Sequence, residues 1–215
     1  VLPRRVCYTD HDGRKIAALV HILDEKRPCI AVVVPPAFGK KKEALAPLAL
    51  TLMAYFASAG ENIAVLRYDG IDRPGESDNA NVHARRGYEM IGYRIDQGYT
   101  DLEATMRWVK NNPVFKAEKT VLISSSMASL DARRLQATPG APRADYWISL
   151  MGVSSAQGAL VNILGGLDVV ANHRMGIPIG TMGMLGQLID MDRMAADMTR
   201  LGYATASDAR EAMSR

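Results

Sequence analysis

The chain has 215 residues, 48% of them hydrophobic and 23% charged, with a formal net charge of +3. These values fit one globular domain with a sizeable core and argue against a disordered chain or a coiled coil. Lysine and arginine are scattered, and the one dense run, Lys40-Lys41-Lys42, is followed at once by Glu43. That run reads as a solvated loop, so no nucleic-acid partner is expected.

No stretch reaches about 18 consecutive apolar residues, and no charged-then-apolar leader opens the chain. Neither a membrane span nor a signal peptide is expected. The two cysteines, Cys7 and Cys29, lack metal-ligand spacing and read as reduced thiols of a cytoplasmic protein. The first residue is Val, so the numbering reads as starting inside a longer product.

In chain order, Arg5–Thr9 and Ile16–Leu23 are short extended runs around His11-Asp12-Gly13-Arg14. Asp-Gly between such runs predicts a hairpin, because glycine accepts the positive φ of the turn. CIAVVV (29–34) is apolar without alternation, as in a strand buried on both faces, and Pro35-Pro36 end it. A helix over 43–59 presents Leu45, Leu48, Leu52, Met53 and Phe56 inward, with Gly60 placed to stop it. IAVLRY (63–68) is a second buried strand, and 69–87 is polar and rich in turn residues. Tyr88–Gln97 is ambiguous and reads as a helix start, while Thr100 with Glu103 forms a capping box.

The chain is organised around TVLISSSMASL (120–130), where a β-branched run passes into a helical segment with almost no loop. The sharp turn this demands needs small neighbours, and Ser124 and Ala128 flank Ser126 at two positions on either side. Small-x-Ser-x-small is a relaxed nucleophile elbow, in which the serine hydroxyl stands exposed above a sheet. A buried strand ending in a serine-rich helix cap is the alternative. After the break at Pro139-Gly140-Ala141-Pro142, ADYWISLMGV (144–153) reads as one more strand. From the third strand onward strands and helices alternate, which specifies a mostly parallel α/β sheet with right-handed crossovers. Residues 1–155 form this core. Residues 156–215, Met-rich and helical, read as a lid over an acyl pocket or as an adaptable helical core.

An acyl-transfer site needs a nucleophile, a base, an orienting carboxylate and N–H donors for the oxyanion. Ser126 is the candidate nucleophile, with the Met127 N–H at the helix start as one donor. The loop after CIAVVV should supply the other, which puts Phe38 in that role, flanked by Ala37 and Gly39. Phe38 reads equally well as a loop aromatic packed on the core. The base is harder to place. Only His173 follows Ser126, within the lid, while His11, His21 and His83 precede it. Asp168, Asp190, Asp192 and Asp197 all lie in helical surroundings.

Four segments carry a family resemblance: AVVVPPAFGKK, IAVLRYDG followed by RPGES, ISSSMAS, and ISLMGVSS. In these the chain resembles the α/β-hydrolases, and more narrowly the acyl-transferases of bacterial bioluminescence, serine thioesterases acting on acyl carrier protein. The resemblance spans roughly residues 5–200 and implies an α/β-hydrolase fold with a helical lid after the sixth strand. It implies Ser126 as the acyl-accepting nucleophile, with Phe38 and Met127 as oxyanion donors and no metal or cofactor. The substrate would be an acyl thioester or ester, with acyl carrier protein among the carriers. The Asp and His of the triad would lie beyond Arg215. Ser124 and Ala128 stand where most hydrolases have glycine.

Two other classes remain open. One is a non-catalytic relative that binds an acyl chain or a partner through its lid, motivated by the missing base. The other is a nucleotide-binding α/β protein, for which both glycine-rich phosphate motifs are absent after the third strand.

Overall fold

The structure is a computed structural model that describes residues 2–153, 175, 189–202, 205–208 and 210. Its frame is a six-stranded sheet of β1 (Arg4–Thr9), β2 (Lys15–Ile22), β3 (Cys29–Val34), β4 (Ile63–Tyr68), β5 (Ala117–Ser125) and β6 (Tyr146–Leu150). The order across the sheet is β1-β2-β4-β3-β5-β6. The β1–β2 hairpin joins β4 antiparallel, and β4, β3, β5 and β6 run parallel.

Three helices connect the parallel strands: α1 (Ala46–Ser58), α2 (Gln97–Asn111) and α3 (Ala128–Ala137). α1 covers one face, where Ala49 and Met53 pack with Val32, Val34 and Val65. α2 and α3 cover the other, where Leu102, Met106, Ala132 and Leu135 meet Ala31, Val33 and Leu66. Consecutive residues of β3 thus face opposite layers, and both layers are apolar. The unbroken CIAVVV run follows from this. β6 is different. It pairs with β5 on one side only among the described residues, and Tyr146 and Ile148 are exposed.

Besides the strand expected over 144–153, which is only Tyr146–Leu150, three expectations change. The helix over 43–59 begins as a 3₁₀ turn (Lys42–Leu45) before α1. Thr100 and Glu103 do not cap a helix, because α2 already starts at Gln97. A run of hydrogen-bonded turns from Tyr88 to Arg94 leads into it. The Thr100 hydroxyl donates to Gln97 O, and Glu103 pairs with Arg107 one turn on. The third change is Lys42, which is only 1% exposed although its run read as solvated. Its partner is Asp69, distant in sequence.

Of the expected lid, residues 154–174 and 176–188 lie outside the described residues, and His173 and Asp168 with them. Within the described part, α4 (Met191–Arg200) is capped by Asp190, whose side chain accepts from Arg193 N. Its apolar stripe, Met191, Met194 and Met198, is buried at helical spacing against Phe38, Tyr93 and Ile95. These three methionines fill space between protein side chains.

Candidate active site

Ser126 sits at the junction of β5 and α3 with φ of +50°, in the left-handed region. This strained conformation lets the strand turn straight into the helix and leaves the serine exposed at the end of the sheet. Ser126 N donates to Leu150 O (3.3 Å), tying the turn to β6, and Ser126 O accepts from Ser129 N (3.0 Å). Both small flanking residues, Ser124 and Ala128, are buried.

Beneath the turn is a hydroxyl cluster. Ser124 Oγ lies 3.1 Å from Ser129 Oγ and accepts from Trp147 Nε1 at 2.8 Å. Ser149 Oγ donates to Ser129 Oγ at 3.0 Å. The cluster links β5, α3 and β6, so Ser124 does more than save space at the position where many elbows have glycine.

Phe38 is buried in the loop after β3, its ring edge-on to Tyr93 with centroids 5.5 Å apart. Phe38 and Met127 face one small cavity, shared with Arg73, Tyr93, Leu130 and Asp131. Two of the three expected site residues therefore line one cavity. The third, Ser126, precedes Met127 on the solvent side.

The far end of the Phe38 loop is clamped to the end of β4. Lys42 N and Nζ donate to the two Asp69 carboxylate oxygens at 2.7 and 2.6 Å. Arg67 Nη1 donates to Lys42 O at 2.7 Å, and Glu76 lies 3.0 Å from Lys42 Nζ. Burial works against the Lys42 charge, but Asp69, Glu76 and Glu43 outweigh it and hold the ammonium above its usual value. Gly75 makes this possible: a Cβ there would come within 2.2 Å of Asp69 Cγ.

A second buried polar group lies behind the cavity. Arg73, 4% exposed, donates from Nη2 to the Tyr93 hydroxyl at 2.9 Å. Burial opposes its charge, and Tyr93, Asp101 and Asp131 outweigh that, holding the guanidinium above its usual value. Burial pushes the Asp101 and Asp131 carboxyls up to about 7, against the pull of Arg73. Asp101 accepts from Ile71 N and Gln97 Nε2, two bonds that favour its ionised form. Neither group was singled out in the sequence as site chemistry. RYDG and RPGES were visible only as part of the resemblance.

The histidines do not complete a triad among the described residues. His21 is buried in β2 and takes a hydrogen bond from Arg67 Nη2 at 3.0 Å. His11 lies at the hairpin tip, 3.3 Å from Asp12, and His83 is exposed in the 69–96 connection. Asp190, Asp192 and Asp197 belong to α4, where Asp190 is the cap and Asp197 pairs with Arg200.

No family model matches the sequence, and no curated protein does. Solved structures do match. A protein of Agrobacterium vitis S4 described as a hydrolase aligns at TM-score 0.53 and 20% identity, over 81% of this chain and 62% of its own. The Pyrococcus furiosus esterase Pf2001 aligns at TM-score 0.53 and 18% identity, over 79% of this chain and 55% of its own. The α/β-hydrolase GrgF of Penicillium sp. sh18 aligns at TM-score 0.54 and 17% identity, over 100% of this chain and 74% of its own. The chain thus spans about three fifths of the length of the first two. The strand order, the antiparallel β2 and these likenesses together show that the chain has the α/β-hydrolase fold.

Proposed function

We propose that the protein is a serine-dependent acyl-transferring hydrolase that releases or transfers a fatty acyl group through an acyl-enzyme on Ser126. The observation that carries this reading is the elbow: an exposed serine with φ of +50° where β5 meets α3. Ser126 Oγ attacks the carbonyl carbon of an acyl thioester or ester, and the developing oxyanion takes hydrogen bonds from Phe38 N–H and Met127 N–H. Collapse expels the thiol or alcohol and leaves the acyl group on Ser126. Water or another acceptor then removes it. The proton acceptor and its carboxylate come from outside the described residues. Hydrolases and an esterase among the structural neighbours support the reaction class. The resemblance of four short segments to the bioluminescence acyl-transferases is what favours a thioester substrate, with acyl carrier protein or coenzyme A as carrier. Two cysteines with no disulfide, Cys7 and Cys29, fit a reducing, cytoplasmic compartment.

The test is intact-mass detection of an acyl adduct after incubation with p-nitrophenyl esters and acyl-coenzyme A of graded chain length. An adduct on the wild-type chain that Ser126→Ala abolishes is the expected result. An adduct at the same level on Ser126→Ala would remove Ser126 from the mechanism. One observation favours a second reading, a binding protein of the same fold: no described histidine is hydrogen-bonded to Ser126. Tight, saturable binding of a fatty acid without turnover or adduct would establish it.

A further inference from the structure

Arg73 touches both walls of the cavity that Phe38 and Met127 share. On one wall its Nη2 donates to the Tyr93 hydroxyl at 2.9 Å, and its guanidinium carbon lies 4.7 Å from the Tyr93 ring centre. The Tyr93 ring in turn meets Phe38 edge-on at 73°. On the other wall is Asp131, on α3, the helix that Met127 caps. Arg73 Nη2 and Asp131 Oδ2 converge over Gly98, where an added Cβ would lie 2.8 Å from the first and 2.3 Å from the second. A side chain at 98 would push the two apart, so this glycine is what lets α2 pass beneath them.

One buried cation therefore lies between a residue bonded to it on the Phe38 side, Tyr93, and a carboxyl facing it on the Met127 side, Asp131. Packing through Tyr93 sets where the Phe38 loop rests. Asp131, in the first turn of α3, faces Arg73 Nη2 across Gly98. Neither contact reaches a reacting atom. We propose that Arg73 is a positioning residue that fixes the spacing of the Phe38 and Met127 N–H donors, through Tyr93 on one side and Asp131 on the other. This rests on the acyl-transfer reading, because it takes those two N–H groups to be the oxyanion donors.

A hole set by such a strut fails in a recognisable way. Substrate still binds, since Arg73 is not at the mouth of the site, but the transition state loses well-aimed donors. Displacing a donor by about 1 Å costs up to about a hundredfold in rate.

The test uses the full chain and three variants, Arg73→Met, Arg73→Lys and Tyr93→Phe. Tyr93→Phe removes only the hydroxyl and keeps the ring against Phe38, so it answers the question even where Arg73→Met fails to fold. Two quantities are read: the rate at which an alkyl fluorophosphonate labels Ser126, and the backbone amide resonances of Phe38 and Met127. The expected result is that Arg73→Met slows labelling by about tenfold or more without weakening reversible binding of the probe. Both amide resonances should shift together, and Arg73→Lys should fall between it and wild type. Unmoved amides with unchanged labelling in Tyr93→Phe and Arg73→Met overturn the proposal. If wild type labels no faster than Ser126→Ala, the acyl-transfer reading fails first and this proposal with it. That pattern differs from a failure confined to the Arg73 variants.

Discussion

Lys42 and Asp69 form an ion pair of 2.6 Å with 1% and 0% of their side chains exposed. They join the loop after β3 to the end of β4, and Arg67 closes the same junction through Lys42 O. Removing one partner of a buried pair strands the other charge, at a cost of about 3–5 kcal/mol. Lys42→Met is therefore expected to lose about 3 kcal/mol in urea unfolding, the lower end, because the Asp69 carboxylate keeps its bonds from two backbone N–H groups. Lys41→Met, at an exposed position in the same run, is expected to change stability by less than about 0.5 kcal/mol. Equal losses in the two variants would show that the pair is not holding the loop.

The carboxyls around Arg73 give a pH dependence of definite sign. Burial raises Asp131 to about 7, well above its value in an unfolded chain, so the native state holds more protons between about pH 4 and 7. Stability from this group is therefore present at low pH and is lost as pH rises towards its folded value. The charged and titratable groups acting on it are Arg73, Asp101 and Arg134. Asp131→Asn copies the protonated form at every pH. Its stability relative to wild type should rise between about pH 4 and 7 and level off above that, measured as the difference in Tm. A flat difference would mean that Asp131 is ionised throughout that range.

The elbow should show the opposition of stability and activity directly. A non-glycine residue in the left-handed region costs roughly 1–2 kcal/mol, and glycine removes most of that cost. Ser126→Gly is expected to raise the unfolding free energy by about 1 kcal/mol while abolishing any acyl adduct. Ser126→Val, β-branched at the same φ, is expected to lower it. Calorimetry of the two variants beside wild type checks both signs.

Gly75 offers a steric check on the clamp. Its φ of +142° and the approach of Asp69 leave no room for a Cβ. Gly75→Ala should displace Asp69 from Lys42 and weaken the fold by as much as Lys42→Met does. If the two losses are one event, the double variant will be far from additive.

The central strands were legible because burial on both faces leaves a continuous apolar run, as CIAVVV and IAVLRY show. The turn at Ser126 was legible because a strand meeting a helix demands small residues at 124 and 128. The Arg73 group was not. Its members come from a turn-rich connection and from two helices, and no local period marks Tyr93, Asp101 or Asp131 as neighbours. Lys42 misled for a related reason: a lysine run is normally solvated, and only the folded position of Asp69 decides otherwise. Thr100 with Glu103 matched a capping pattern, yet the turns before Gln97 had already nucleated the helix. The strand expected over 144–153 is shorter, ending at Leu150, and the chain turns at Met151, which has φ of +48°.

The strands that carry the two halves of the site, β3 and β5, are direct neighbours, with Val33 opposite Leu122. All of β4 and its flanking helices lie between them in the chain, so the Phe38 loop and the Ser126 turn share no local contact that could form early. Pairings of such long sequence separation draw on chain entropy before they return any burial, and sheets built from them fold slowly. The cavity between Phe38 and Met127 thus forms only once β3 and β5 have paired. A refolding chain should recover its helical signal well before Ser126 finds its neighbours.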